Sequence, residues 1–288
     1  MAKLRGINTK MRGAVGEWRF ARNGGVTVVA EKGETKVVRT PNNMKQRTRW
    51  ANIINMWRSF NGNLKPSFEH KKRGQSDFNL FMSKNLAKGS MAVYLTKGVA
   101  SQNGCVAAPY LVSEGTLESI GVEVDRDGRV SSSIVLGNDF VIDATTTVQE
   151  FSQQVIEHNK AFQNGDAIVC FAALQRTDPV NGYPVVTMNC DKVTLDTTDA
   201  SGRKLLDVVT PVGFTARDGY LASGMALEGG MAWIHTRKEN GKVLVSTQYL
   251  NGDNSMLEDY VTQDAYKEAL DSYGGYTKID YLDPSQQG

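Results

Sequence analysis

Seven Asn-Gly dipeptides, at positions 23, 61, 103, 164, 181, 240 and 251, cut the chain into short segments. Asparagine and glycine enter the left-handed backbone region at little cost, so each pair marks a tight turn or the stop of a helix. Parallel strands need crossovers of a dozen or more residues, whereas two residues can join antiparallel strands. Turns this frequent, set between short β-rich runs, predict sheets of antiparallel hairpins rather than a doubly wound parallel sheet. No repeat of fixed period is present.

The segment GEWRFARNGGVTVVAEKGETKVVR carries two β-rich runs around Asn23-Gly24-Gly25, and residues 13–39 are read as β-structure. A helix then starts at Thr40-Pro41, with the threonine as N-cap and the proline in the first turn. Trp50, Ile53, Ile54, Trp57 and Phe60 recur at helical spacing and predict one buried face that includes both tryptophans; Asn61-Gly62 ends the helix. Lys45 and Arg49 border this stripe on one side, Arg47 and Arg58 on the other, where their stems can lie on apolar surface while the charges stay wet. A basic knot, His70-Lys71-Lys72-Arg73-Gly74, leads to a second helix started by Ser76 and Asp77. Phe78, Phe81, Met82 and Leu86 face inward and Gly89 stops it, so the two helices are expected to form an αα-hairpin.

Residues 91–142 read as strands and turns, including MAVYLT (91–96) and a hairpin turned by Asp125-Arg126-Asp127-Gly128. That turn resembles the start of a calcium loop but lacks the later ligands. A helix over 147–162 opens with a capping box, Thr147 with Glu150, and buries Val148, Phe151, Val155 and Phe162. From 166 to 250 the pattern is β, with KLLDVVT (204–210) among the runs and a hairpin around Asn240-Gly241. A last helix runs from Thr262 to Gly274. The sum is a β-rich α+β fold. Residues 1–100 form a basic β-hairpin and helix-pair region. Residues 101–288 form an acidic antiparallel-sheet domain with helices near 147–162 and 262–273 packed on it.

Charge divides the chain at the same place. Residues 1–100 hold 20 Lys+Arg against 5 Asp+Glu, a net +15; the remaining residues hold 13 against 26, a net −13. Such halves point to a polyanionic partner, or to one end of the molecule meeting the other end of its neighbour. The plain alternative is two solvated faces of opposite sign on one fold. The cations expected to meet a partner, protein or nucleic acid, are Arg19, Arg22, Lys45, Arg47, Arg49, Arg58, Lys71, Lys72 and Arg73.

Signals for chemistry are weak. No phosphate-binding loop and no Gly-x-Ser-x-Gly elbow is present. The three cysteines, 105, 170 and 190, form no Cys-x-x-Cys pair and read as buried thiols. His70, His158 and His235 are the only histidines and have no metal-ligand spacing, so no metal or cofactor is expected. His235, beside Trp233 and Arg237, is the best single candidate for acid–base work, weighed against a strand histidine completing a polar face. No apolar run of about 18 residues and no apolar leader segment is present, so neither a membrane-spanning helix nor a signal peptide is expected.

The segments RTPNNMKQRTRWANIINMWRSFNGNLKPSFE, GQSDFNLFMSKNL, FQNGDAIVCFAAL, WIHTRKENGKVLVSTQYL and ALDSYGG together resemble an uncharacterised protein family encoded by gut bacteria of the Bacteroides group, their prophages and phages. The resemblance covers most of the chain. It implies a basic β–helix–helix N-terminal part, a β-rich C-terminal part and a virion or assembly role, with no catalytic residues to carry over. The expectation is a non-enzymatic structural protein of a phage particle, made in the host cytoplasm. It would assemble with itself or with other virion proteins through its opposite charges. The alternative is a nucleic-acid-binding protein that uses the N-terminal cations.

Overall fold

A computed structural model describes residues 2–4, 13–23, 26–31, 40–64 and 67–275. The first strands are β1 (Ala2–Leu4), β2 (Gly13–Val15), β3 (Trp18–Asn23) and β4 (Val26–Glu31), an antiparallel sheet in the order β1-β4-β3-β2. The register pairs Asn23 with Val26, as a two-residue hairpin turn requires; Gly24 and Gly25 themselves, and the expected β-structure at 32–39, lie outside the described residues. β1 was not legible in the sequence, because three residues carry no period.

Helix α1 (Pro41–Ser59) begins as expected, the Thr40 hydroxyl accepting from the Asn43 amide. It ends where Asn61 and Gly62 turn left-handed, at φ +47° and +82°. Of the expected stripe, Ile53 and Phe60 are buried and Ile54 and Trp57 pack partly buried against the core, but Trp50 does not. Met44, Thr48, Asn52, Asn55 and Met56 are buried, while Trp50 is 42% exposed and Trp57 half-buried. The physical reason lies in the neighbouring chain. Residues 91–96 and 102–110 are irregular, so MAVYLT is not a strand, and the backbone groups of the second stretch need partners. Asn52 exchanges two hydrogen bonds with the Val106 backbone, its Nδ2 donating to the carbonyl (2.9 Å) and its Oδ1 accepting from the amide (2.8 Å). Asn55 donates to the carbonyls of Ala100 and Gly104. These amides rotate the helix so that Trp50 faces outward.

Helix α2 (Asp77–Asn85) is capped by Ser76 and buries Leu80, Phe81 and Met82. Its Asn85 repeats the device on Leu111, accepting from the amide and donating to the carbonyl. The short helix α3 (Lys97–Ser101) precedes β5 (Leu111–Ser113), β6 (Val122–Val124) and β7 (Val130–Val135). Then come α4 (Val148–His158) with its capping box, β8 (Ala167–Thr177) and β9 (Pro184–Thr194). KLLDVVT is not a strand: Leu205–Asp207 form a 3-10 turn. The chain continues through β10 (Thr215–Arg217), β11 (Tyr220–Ala222), β12 (Gly229–Glu239), β13 (Lys242–Val245) and β14 (Gln248–Tyr249) to α5 (Ser255–Tyr260) and α6 (Gln263–Ser272). Asn240 and Gly241 both have positive φ and close the β12–β13 hairpin.

The scaffold is the antiparallel sheet β13-β12-β8-β9. Its side chains alternate between two cores. Phe171, Ala173, Ala232 and Ile234 face α1 and α2, with Phe60 packed edge-on against Phe171 at 5.1 Å between ring centroids. Ile168, Cys170, Ala172 and Trp233 face α4 and the sheet β10-β11-β7-β6. Residues from both sides of position 100 thus share one apolar cluster. The acidic helix α6 lies against the basic α1 and against α3, with its start capped by Thr262 as expected.

Candidate functional site

The nine expected contact cations do not form one surface. Arg19 is exposed on β3, next to Trp18, which is 55% exposed and paired across the strands with Val15, 64% exposed. Arg22 lies in β3, but its side chain is outside the described residues. Lys45 and Arg47 are exposed on α1, and Arg47 acts electrostatically on Tyr273 beyond α6. Arg49 is half-buried: its Nη2 donates to the Ser90 carbonyl at 3.3 Å and its buried Nε has no partner. Arg58 donates to the Asn55 side chain.

Within the basic knot, Lys71 is bound to Asp77 at 3.0 Å. Asp77 also accepts from the Ser67 and Phe68 amides, so Lys71 belongs to the start of α2. Lys72 and Arg73 are exposed and enter no ion pair among the described residues. Lys84 meets Glu114 at 2.7 Å, a pair across the two charge halves. Part of the asymmetry is therefore balanced inside the molecule. Of the nine, those exposed and outside any ion pair among the described residues are Arg19, Lys45, Arg47, Arg58, Lys72 and Arg73.

His235 is not on a polar face. It is 1% exposed, and its Nε2 lies 2.7 Å from Asp166 Oδ2. Strand register explains the meeting. Thr236 pairs with Ala167, which brings Asp166 alongside Arg237. Arg237 grips the carboxylate with both Nε (2.8 Å) and Nη2 (2.7 Å) and also donates to the Ala161 carbonyl. Phe162 stacks on the imidazole at 4.1 Å. Burial pushes the His235 pKa down, and the Asp166 carboxylate offsets this only in part. The ring is therefore neutral near pH 7, its Nε2–H donating to Asp166 and its buried Nδ1 left without a partner. Burial pushes Asp166 up, but its hydrogen bonds from Arg237 and His235 hold it below the usual carboxylate range. Phe162 also lines an open cleft with Glu118, His158 and Lys160, and His235 does not reach its surface. This is a bidentate, stacked cluster that ties the β8 and β12 strands to the chain after α4. Nothing in the sequence marked Asp166 as the partner, since 69 residues separate it from His235.

The Asp125–Gly128 turn holds no calcium-type arrangement. Asp125 accepts from the Asp127 and Arg129 amides and pairs with Arg217. No cluster of three or more His, Cys, Asp or Glu poised for a metal occurs among the described residues. No helix among them is long and apolar enough to cross a membrane. Comparison with protein-family models, curated proteins and solved structures finds no match to the chain.

Proposed function

We propose that the chain is a non-enzymatic structural protein of a phage particle, and that it assembles with copies of itself or with other virion proteins through its basic N-terminal sheet. The observation that carries the reading is the Val15–Trp18 pair. Two large apolar side chains stand exposed side by side on a four-stranded sheet, while Arg19, the next residue of β3, is exposed on the opposite face. Exposed apolar surface on a sheet is what a partner surface offers, and among the described residues β1 and β2 are the edges of this sheet. The virion context rests on the family resemblance. His235, the residue closest to an acid–base group, is closed off by Phe162 and Asp166, which favours a structural role. Light scattering after size exclusion tests self-assembly: oligomers support the reading, and a monomer at every concentration and salt that is also absent from purified phage particles overturns it. Electron micrographs of the purified assembly, and its detection in phage particles, test the virion role.

A second reading, nucleic-acid binding, is favoured by the same Trp18. An aromatic exposed on a sheet can stack on bases, and the exposed Arg19, Lys72 and Arg73 offer charges for phosphates. Titration of labelled DNA across salt decides it, because sequence-blind affinity is greatest at low salt; no binding near 50 mM ends this reading.

A further inference from the structure

One face of the central sheet is only partly covered. Helix α1 roofs the row that contains Phe171 and Ala232, with its exit at Gly62 and Asn63 at the roof's edge. Past that roof lies a cleft of about 450 Å³, within the size range of small-molecule sites. Strand register fixes its floor. Lys192, Val169 and Ile234 lie side by side in one row; Thr194, Ala167 and Thr236 form the next; Lys238 stands one row further along β12. Ala167 is the smallest side chain in these rows, so the sheet is hollowed between two threonines, with Val243 completing an apolar wall.

The chemistry of this cleft is asymmetric. Among the described residues no carboxylate lines it, and the two charged residues that do are both lysines. Lys192 and Lys238 are exposed and neither enters an ion pair among the described residues. Strand spacing sets their Cα atoms roughly 16 Å apart on a diagonal across the hollow, so either ammonium can reach a ligand lying along it. Val169, Ile234 and Val243 contribute apolar lining, and Asn63, Ser67, Thr194 and Thr236 contribute polar lining beside the two lysines.

We infer that this cleft binds an amphipathic anion, an unbranched acyl chain ending in a carboxylate, with the chain against Val169 and Val243 and the carboxylate at Lys192 or Lys238. A neutral chain of equal length lacks the ion pair, and a small anion lacks the apolar contact. The site is independent of the assembly surface on the N-terminal sheet.

Calorimetric titration of the full chain with octanoate and with octanol tests it. Octanoate should saturate one site, and octanol should bind about tenfold more weakly, as loss of one charge-assisted contact implies. The double variant Lys192→Gln with Lys238→Gln should bring octanoate down to the level of octanol, and the Lys→Arg pair should retain it. Ala167→Leu, which fills the hollow, should abolish both, with circular dichroism confirming that the variant is folded. No saturation by octanoate below about 10 mM, equal binding of octanol, or undiminished binding in the double Gln variant would each overturn the assignment.

Discussion

Asn52 holds Val106 by both of its backbone groups, one bond at 2.9 Å and the other at 2.8 Å, as a neighbouring strand would. The Asn52 amide also donates to the Tyr110 hydroxyl at 2.7 Å, and every group in the set is buried. Asn52→Ala strands the Val106 amide and carbonyl in an apolar interior. Each stranded group costs about 1–3 kcal/mol, so the variant should lose several kcal/mol. The midpoint of urea unfolding should fall; an unchanged midpoint contradicts the pairing.

The Asp166–His235–Arg237 cluster makes stability fall as acid is added. His235 in the fold sits below its ordinary 6.5, so between the two values the unfolded chain binds the proton and the fold does not. Stability from this group is complete above pH 6.5 and declines as pH drops below it. Asp166 adds a second loss below 3.8, where its carboxylate is protonated in the unfolded chain first and then in the fold. Thermal unfolding of the wild type and His235→Gln between pH 7.5 and 5 should show a shallower decline in the variant. Parallel curves would contradict a depressed His235.

Arg237 closes both oxygens of a buried carboxylate. Arg237→Ala leaves Asp166 with His235 and the Gln163 amide but no charged partner, and breaking a buried pair from one side costs about 3–5 kcal/mol. Arg237→Lys should recover only part of this, because an ammonium cannot make the two parallel bonds. Chemical denaturation of the two variants checks the order wild type, Lys, Ala.

Lysines 71 and 72 are neighbours with different duties. Lys71→Ala removes the Asp77 pair and should lower stability by up to about 1 kcal/mol, while leaving any salt-sensitive association unchanged. Lys72→Ala with Arg73→Ala should do the reverse. Trp18→Ala should leave the unfolding midpoint where it is and weaken association, read by light scattering.

The thiols provide a check on the core. Burial pushes Cys105 up to about 12 and Cys190 up to about 11, and holds Cys170 well above its ordinary value. Disulfide reagents attack the thiolate, so the native chain should react slowly, at half-buried Cys190 first. Three thiols should react at once after unfolding. Rapid native labelling of Cys170 would contradict the packing of Trp233 and its neighbours around it.

Local signals were legible. The caps at Thr40, Ser76, Thr147 and Thr262 sit where the sequence placed them, because a hydroxyl next to a helix needs only its own neighbours. Asn240-Gly241 turned the hairpin for the same reason. MAVYLT and KLLDVVT failed as strands, since β-rich composition needs an available sheet edge to become a strand, and these runs pack as an irregular stretch and a 3-10 turn.

The sequence missed α3 and α5, and Asn251, expected to turn, forms a bridge with Met231 instead. By itself it determined the other turns, the starts of α1, α2, α4 and α6, the antiparallel hairpins and the sign of charge along the chain. All of these depend on residues within a few positions of one another. Tertiary structure alone decided that asparagines would fill the inner face of α1 and push Trp50 out. It also decided that Asp166 would meet His235, that Lys71 would be taken by Asp77, and that two lysines would flank one hollow. Those relationships join residues through strand register and buried hydrogen bonding, and a buried polar group takes whatever partner the fold brings within about 3 Å.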